Sequence, residues 1–353
     1  MTRRTITLIL AFLLILAAAS GCVKKENGTE TAPAGKTPLE TEAPPSGLPE
    51  TGGADPAPEA AFSPALWRVT DGQHALYLLG TIHVGDERSE DALAAVRDVF
   101  DGCDALAVEF DTVAFENDLA ASVAAVQQFL YTDGTTVRDH LPEELYEKSL
   151  EIIKTGGEYS KLIEKYNLAI WSQMLEQAAI VPSGLTPDYG MDGLLLDRAY
   201  DRGMKILEVE SAEFQYGLIN SFSEELYVLM IEDTVDSIDG YCDDLVTMYE
   251  AWLGGDAETL EDYVIGTGED GEDEEDLTEE QIGMLEDYDF KMLDERNLGM
   301  ADKAEAYLKS GDTVFFAVGA AHMLGDGGLV KLLTDKGYEV TRMDPPYLIT
   351  KDA

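Results

Sequence analysis

Two short segments that lie far apart in the chain share the pattern that most constrains its fold. Residues 76–83 read LYLLGTIH and residues 314–322 read VFFAVGAAH, so each apolar run ends at a glycine that a histidine follows three positions later. The whole chain contains only four histidines. Short apolar runs bounded by glycine are typical of buried strands, and glycine permits a sharp turn where the strand ends. The pattern predicts two buried β-strands that each present one imidazole.

The rest of the chain alternates predicted strands with predicted helices. Further strand-like runs occur at residues 65–70, 104–110, 204–210 and 338–343. Apolar residues at spacings of three and four predict helices over most of 115–180 and 212–310. Strands that alternate with helices favour a largely parallel, covered sheet. We therefore predict an α/β fold at residues 63–350, a single domain with a mostly parallel central sheet flanked by helices and a helical insertion in the middle.

The N-terminal segment has the features of an export signal. Two arginines precede an apolar stretch at residues 6–19, and Ser20-Gly21-Cys22 follows it. This order is typical of a secretory signal, and the stretch is shorter than the ~20 residues of a membrane-spanning helix. The ending is similar to a bacterial lipobox, which predicts a lipoprotein signal peptide at residues 1–21 and lipidation of Cys22. A plain signal peptide with an incidental cysteine is the alternative.

These features predict a protein exported and lipid-anchored to the outer face of the bacterial cell membrane. Residues 22–62 contain seven of the chain's 13 prolines, with Gly, Thr, Glu and Ala filling most of the remainder. Such a composition cannot bury a core and predicts a disordered, extended tether. An exported chain permits a disulfide, but Cys103 and Cys242 form one candidate pair, so both the bonded and the free states remain open.

The formal net charge of −46 limits the possible partners. It repels nucleic acid and anionic lipid headgroups, which excludes nucleic-acid binding. It favours cationic partners and metal ions, although a solvated acidic surface needs no partner. The acidic run at residues 268–280 suggests calcium binding, but its spacing does not fit an EF-hand loop. Runs of like charge are usually solvated, so we predict an exposed loop there.

Polar residues stand at the ends of four predicted strands. His83 and His322 follow the two strands already described, Glu109 lies at the end of DALAVEF, and Glu210 ends ILEVE. Open parallel sheets place their binding crevice outside the carboxyl ends of the strands. Two imidazoles and two carboxylates that converge there can form either a metal site or an acid–base site.

Glu109 also has a purely structural explanation. A carboxylate in an apolar strand is unfavourable to bury without a cation or a metal. Arg296, in the sequence DERN, could be that cation and would make Glu109 merely structural. The other histidines, His74 in a predicted turn and His140 before a predicted helix, are interpreted as surface residues.

Several motifs together resemble a known family. They are WRV, YLLGTIH, VEF, YGMDGLLLDRA, LEVESAEFQ, LVTMYEAWLGGD, DERN and VGAAHMLGDGGLVKLLTDKGY, spread over residues 66–345. The chain resembles the TraB/PrgY/GumN family, which includes the TIKI proteases. The family's paired histidines, acidic strand residue, arginine, Leu-Glu-Thr element and Gly-Ile-Asp element fall on His83 and His322, Glu109, Arg296, Glu210 and Asp192. Methionine replaces the isoleucine of the last element, and Val209 and Ser211 replace the usual neighbours of Glu210.

The resemblance implies one of two activities. TIKI members are similar to metal-dependent proteases that clip a secreted signal protein, whereas PrgY-type members restrain a peptide pheromone at the cell surface. We expect a metal-dependent, peptidase-like hydrolase of a secreted peptide or protein. His83 and His322 would bind a divalent metal (Mn, Co or Zn) together with Glu109 or, alternatively, with Glu210.

The other expected roles concern the carboxylates and Arg296. Whichever of Glu109 and Glu210 does not bind the metal would act as general base, and Arg296 would orient a carboxylate or stabilise an oxyanion. A peptide-sequestering protein is an alternative, and its acidic surface would favour a cationic peptide. A metal-free hydrolase that uses His83 and Glu109 as acid and base is another.

Overall fold

The computed structural model describes residues 62–157, 159–265 and 277–348. The predicted signal peptide, the lipidation site at Cys22 and nearly all of the predicted tether lie outside the described residues, as do residues 268–276 of the acidic run. Within the described ranges, no helix combines the length and the apolar character that crossing a membrane requires.

One six-stranded sheet organises the fold. Its strands are β1 Leu66–Thr70, β2 Ala75–Thr81, β3 Ala105–Val108, β4 Lys205–Glu208, β5 Val314–Gly319 and β6 Glu339–Arg342, in the order β4-β3-β5-β2-β1-β6. The four strands from β4 to β2 all run in the same direction, while β1 is antiparallel to both of its neighbours. The predicted mostly parallel sheet is therefore confirmed, with β1 and β6 as an antiparallel edge.

Helices flank the sheet and form the insertions between its strands. They are α1 Arg88–Asp101, α2 Thr112–Asn117, α3 Leu119–Gln127, α4 Val137–His140, α5 Glu143–Thr155, α6 Leu168–Ile180, α7 Met191–Arg202, α8 Ala212–Ile219, α9 Glu224–Asp236, α10 Ile238–Gly254, α11 Ala257–Ile265, α12 Glu279–Asp289, α13 Glu295–Leu308 and α14 Leu329–Asp335. A π-helical turn, Phe290–Asp294, joins α12 to α13 without a break in the chain direction. The predicted α/β class and the helical middle of the chain are confirmed.

Two apolar cores stabilise this arrangement. The first lies between the sheet and its flanking helices, where the rings of Phe100 and Phe315 meet edge to face with centroids 5.2 Å apart. The second lies among the inserted helices, where Tyr146 stacks on Trp171 at 5.7 Å. Aromatic pairs in these geometries add attraction beyond the apolar area that they bury.

The structure departs from the sequence-based predictions at several positions. The segment 204–210 is not a buried strand, because β4 is an edge strand that ends at Glu208 with mostly exposed or half-buried residues. Glu279 and Glu280 belong to the first turn of α12 and not to a loop, because Thr278 and Gln281 form a capping box and acidic residues suit a helix N-terminus.

The two cysteines within the described residues are both free. Cys103 donates to the carbonyl oxygen of Val99, and Cys242 donates to the carbonyl oxygen of Ala179. The disulfide that the sequence left open is therefore not formed.

Candidate functional site

The carboxyl ends of the four parallel strands bring the predicted site residues together. β5 pairs with β2 on one side and with β3 on the other, in the same direction. His83 and His322 therefore leave adjacent strands at one edge of the sheet, which confirms the prediction made from the repeated pattern. Glu109 directly follows β3, and Glu210 lies two residues after β4.

Gly319 lies at the centre of this group. A methyl group at its Cα would lie 3.4 Å from Glu109 Oε1, 3.7 Å from His322 Cδ2 and 3.9 Å from His83 Nε2. Its backbone N–H also donates to Glu109 Oε1 at 3.0 Å. The absence of a side chain at Gly319 therefore leaves the space into which three of the predicted site residues project.

Gly80, the matching glycine of the first segment, has a different role. A Cβ there would lie 2.9 Å from the Cα of Ala320, so the two strand ends pack too closely for a side chain. The indole N–H of Trp252, in α10, donates to the carbonyl oxygen of Gly80 at 2.8 Å. Gly80 thus allows the ends of β2 and β5 to pack closely, whereas Gly319 leaves space between His83 and His322.

The His83 imidazole is oriented by a carboxylate. Its Nδ1 lies 2.7 Å from Asp192 Oδ2, and Thr81 Oγ1 donates to Asp192 Oδ1 at 2.5 Å. With Nδ1 engaged, Nε2 is the nitrogen left to face Gly319. Burial disfavours the charged imidazole, but the neighbouring carboxylate outweighs it and raises the pKa of His83 above its ordinary value.

Asp192 reaches His83 because α7 begins against the end of β2. The backbone N–H of Met191 donates to the carbonyl oxygen of Ile82 at 2.9 Å. A Cβ on Gly190 would lie 2.5 Å from the carbonyl oxygen of His83, so glycine is required for this approach. The Tyr-Gly-Met-Asp-Gly sequence therefore places a carboxylate in the first turn of a helix, beside an imidazole.

The His322 imidazole is oriented by an amide instead. Its Nδ1 lies 2.7 Å from Asn297 Oδ1, and Asn297 Nδ2 donates to the carbonyl oxygen of Gly327 at 3.0 Å. Because an amide oxygen can only accept, Nδ1 carries the proton and Nε2 presents a lone pair. Burial and the nearby Arg296 guanidinium lower the pKa of His322 to about 3, so this imidazole is neutral.

Glu109 and Glu210 share one guanidinium. Nη2 of Arg296 donates to Glu109 Oε2 at 2.7 Å and to Glu210 Oε2 at 2.8 Å, and its Nε donates to Glu210 Oε1 at 2.9 Å. The amide nitrogen of Gln215 donates to the same two Oε2 atoms, at 2.8 Å each. Arg296 is therefore the cation that the sequence suggested for Glu109.

This ion pair does not occupy the whole Glu109 carboxylate. Oε2 faces Arg296 and Gln215, while Oε1 faces Gly319 and lies 3.9 Å from His322 Nε2. Burial alone would raise the pKa of Glu109, but Arg296 and the two imidazoles hold it well below the usual range. Glu109 is thus an ionised carboxylate with one oxygen directed at the histidines.

The π-helical turn Phe290–Asp294 precedes Arg296 and Asn297. Nη1 of Arg296 donates to the carbonyl oxygen of Met292, within that turn, at 3.2 Å. Single π-helical turns within α-helices are frequently found at functional sites. Two consecutive residues of α13 thereby serve different parts of the site, since Arg296 holds the carboxylates and Asn297 holds His322.

The donor types at the site fit a divalent ion. His83 and His322 present Nε2, and Glu109 presents Oε1, while hydrogen bonds from the opposite side fix both imidazole rings, as is usual for metal-binding histidines. Among the described residues, no three acidic, histidine or cysteine side chains are already arranged to hold a metal ion. The predicted metal ligands thus fit in chemistry, and their binding of a metal stays a prediction.

The sequence interpretation did not identify Gln215 and Asn297 as site residues. Both lie inside the motifs LEVESAEFQ and DERN, but an uncharged amide gives little signal of its own. Asp192 was found by family resemblance alone. His74 and His140 lie outside the site, His74 beside Asp71 in the β1–β2 turn and His140 between Tyr131 and Glu224.

Comparison with known proteins gives a family match and two distant relatives. The model of the TraB/PrgY/gumN family matches residues 65–342. The proteins named "Uncharacterized protein YbaP" from Escherichia coli (strain K12) and from Shigella flexneri are each 24% identical over 270 residues, which is 76% of this chain and 92% of theirs. No solved structure matches the chain.

Proposed function

The chain belongs to the TraB/PrgY/gumN family, and from that premise we propose that it is a metal-dependent hydrolase with peptidase-like activity. The observation that carries the proposal is the orientation of the two imidazoles. Asp192 and Asn297 engage Nδ1 of His83 and of His322, so both Nε2 atoms are left for the space beside Gly319. A carboxylate oxygen of Glu109 borders the same space.

His83, His322 and Glu109 would hold a divalent cation such as Mn²⁺, Co²⁺ or Zn²⁺. A cation there would act as a Lewis acid and make water a competent nucleophile near neutral pH. Asp192 and Asn297 would keep the imidazoles in the tautomer that leaves Nε2 free. Gln215 and Arg296 would keep the Glu109 carboxylate turned so that only Oε1 faces the histidines.

Glu210 and Arg296 complete the proposed machinery. Glu210 is the second glutamate of the site, held by Arg296 and Gln215, and would accept a proton from the attacking water. Nε, Nη1 and Nη2 of Arg296 already donate to Glu210, Met292 and Glu109. This favours orientation of the carboxylates, and not stabilisation of an oxyanion, as the role of Arg296.

The proposed substrate is a secreted peptide or protein. The N-terminal sequence predicts export and a lipid anchor at Cys22, which would hold the domain on the outer face of the bacterial membrane. The net charge of −46 would attract cationic peptides and repel nucleic acid.

Metal analysis and peptide turnover together test this function. The purified protein is expected to contain about one divalent ion per chain and to cleave members of a peptide pool. His83→Ala and His322→Ala should each lose both properties, whereas the control His74→Ala should keep both. A metal-free wild type with full activity would refute the metal assignment. Recovery of the pool intact, with one peptide co-eluting, would instead indicate sequestration.

A metal-free hydrolase is the second candidate, and the pairing of Asp192 with His83 favours it. A half-buried carboxylate at 2.7 Å from Nδ1 resembles the arrangement that orients a histidine general base. In that case His83 would accept a proton from water at Nε2, with Glu109 beside it. Activity that survives extensive dialysis against a strong chelator would select this mechanism over the metal-dependent one.

A further inference from the structure

A threonine at the end of β2 contacts the residue that orients His83. Thr81 is the last residue of β2 and is completely buried. Its hydroxyl donates to Asp192 Oδ1 at 2.5 Å, while His83 Nδ1 lies 2.7 Å from Asp192 Oδ2. The two oxygens of one carboxylate are therefore held by two different side chains.

The position of Thr81 in the sheet brings it next to the centre of the site. Thr81 pairs with Gly319 in the parallel register of β2 and β5. α7 begins against this end of β2, because the backbone N–H of Met191 donates to the carbonyl oxygen of Ile82. Asp192 lies in the first turn of α7, so its carboxylate reaches the strand end where Thr81 binds one of its oxygens.

The hydrogen bond from Thr81 restricts the Asp192 carboxylate. A carboxylate oxygen only accepts hydrogen bonds, so the hydroxyl proton of Thr81 is committed to Asp192. Hydrogen bonds from a hydroxyl to a charged carboxylate are short and stronger than those between neutral groups. Threonine is β-branched and has few accessible rotamers, which fixes the direction of its hydroxyl. Without this donor the Asp192 side chain, which is 16% exposed, could turn toward water.

We propose that Thr81 is a positioning residue of the candidate site, which acts through Asp192 on the orientation and tautomer of His83. The inference rests on the proposed function in one respect, because the use of a free Nε2 on His83 is the binding of a divalent ion. Rotation of the Asp192 carboxylate would release Nδ1 of His83 and make the Nε2–H tautomer accessible. A protonated Nε2 has no lone pair for a metal ion.

Titration of the full-length protein with Co²⁺ tests the proposal against a purely structural role. Thr81→Val replaces the hydroxyl with a methyl group of similar size, and we expect the affinity for Co²⁺ to fall roughly 10–100-fold. Thr81→Ser restores the hydroxyl and should recover most of that affinity. Equal affinity of the wild type and Thr81→Val would overturn the proposal.

Thr70→Val is the matched control. Thr70 is a buried threonine at the end of β1, and its hydroxyl donates to the carbonyl oxygen of His74 at 2.7 Å. Its replacement should lower Tm, as loss of a buried hydrogen bond does, without changing the affinity for Co²⁺. An equal loss of affinity in Thr70→Val and Thr81→Val would mean that general destabilisation is the cause and would overturn the assignment.

A double variant shows whether Thr81 acts through Asp192. Asp192→Ala should weaken Co²⁺ binding by itself. Adding Thr81→Val to Asp192→Ala should cause no further loss, because the carboxylate through which Thr81 acts is gone. A further loss in the double variant would show that Thr81 acts by another route and would overturn the assignment.

Nitrogen NMR of the histidine rings gives a readout that requires neither metal nor activity. The chain has only four histidines, so His83→Ala identifies the signals of His83. In the metal-free wild type at alkaline pH, His83 should carry its proton on Nδ1, and Thr81→Val should increase the Nε2–H form several-fold. If this increase occurs although the wild type binds no Co²⁺, the metal-dependent function fails and the positioning role stands. An unchanged tautomer in Thr81→Val would overturn the positioning role.

Discussion

The two imidazoles of the candidate site differ in the residues that hold them. Asp192 gives His83 a negatively charged neighbour, whereas Asn297 gives His322 a neutral one. Both contacts leave Nε2 of the imidazole directed at the site. The two histidines are therefore oriented in the same way, but only His83 has a charged hydrogen-bond partner. Residues that contact neither substrate nor ion therefore determine what each histidine can do.

Substitution of Asn297 tests this positioning role. Asn297→Ala removes the acceptor of His322 Nδ1 and frees the ring to rotate or change tautomer. Loss of such an outer partner typically lowers metal affinity or activity 10–100-fold, and we expect a loss of about that size. Metal titration and peptide turnover measure it. Asn117→Ala, in the exposed helix α2, is the control, and an equal loss in both variants would contradict the assigned role.

Gly319→Ala should inactivate the protein without unfolding it. The backbone of Gly319 (φ −47°, ψ 141°) is accessible to alanine, and the new methyl group would make ordinary contacts at 3.4–3.9 Å. It would nevertheless fill the space between the two imidazoles and Glu109, so we expect activity to fall at least ~100-fold, well beyond the loss of one positioning contact. Thermal unfolding should show a change in Tm of only a few degrees.

Gly80→Ala is the matched comparison, because its Cβ would collide with backbone at 2.9 Å. A backbone atom cannot move aside as a flexible side chain can, and inserting one methyl group into a tightly packed position costs about 1–3 kcal/mol. We therefore expect a clear fall in Tm for this variant. Full activity of Gly319→Ala, or equal stability of the two variants, would show that the glycines do not have the separate roles assigned to them.

At the scale of secondary-structure elements, the sequence predicted the buried strands, because a buried strand has a recognisable apolar run. β3 and β5 are buried along their whole length, and β2 is buried at every position except Ala75, so their apolar runs identified them. A glycine also marked the ends of β2 and β5. β4 and β6 lie at the edges of the sheet, and nothing in a local pattern tells an edge strand from a central one. The order of strands, which places β5 between β2 and β3, depends on packing that no short motif encodes.

The sequence likewise predicted some of the site residues and missed others. Charged residues at strand ends, such as Glu109, are conspicuous because burying them is unfavourable. Arg296 and Asn297 come from a helix distant in sequence, and their approach depends on how α13 and its π-helical turn cross the sheet. The sequence could therefore suggest the pairing of Arg296 with Glu109, but not the second carboxylate that shares it.

Removal of the Arg296 charge should destabilise the contact between α13 and the sheet. Arg296→Met would leave two nearby buried carboxylates without their shared cation, and breaking a buried pair in this way costs about 3–5 kcal/mol. Urea unfolding should record a fall of that size in the free energy of unfolding. Arg296→Met combined with Glu109→Gln and Glu210→Gln should recover much of it. Equal stability of the single and triple variants would show that charge is not the cause.

At the scale of the whole molecule, a formal charge of −46 makes salt and pH strong determinants of behaviour. Like charges repel one another in the compact state, and salt screens this repulsion within about 10 Å at 0.1 M. Attraction of a cationic peptide would be screened in the same way, so its association should slow as ionic strength rises. Comparisons between variants therefore require a fixed ionic strength.

The dependence of stability on pH should reveal the protonation state of Glu176 in the folded protein. Its pKa rises from the ordinary 4.5 to about 8 on folding, so between these values the folded protein binds a proton that the unfolded chain has released. The contribution of Glu176 to stability is therefore greatest below pH 4.5 and is lost as pH rises toward 8, at up to about 1.4 kcal/mol per pH unit.

Glu176→Gln isolates this contribution from the many exposed acids. The titratable groups that Glu176 influences, Tyr227 of α9, Tyr241 of α10 and Tyr288 of α12, remain in the variant, so their contributions to the pH dependence cancel in the comparison. At a fixed ionic strength, the variant should gain stability over the wild type steadily from pH 5 to pH 8. Urea unfolding at several pH values measures this gain, and a difference that does not change with pH would show that Glu176 is not protonated in the folded protein.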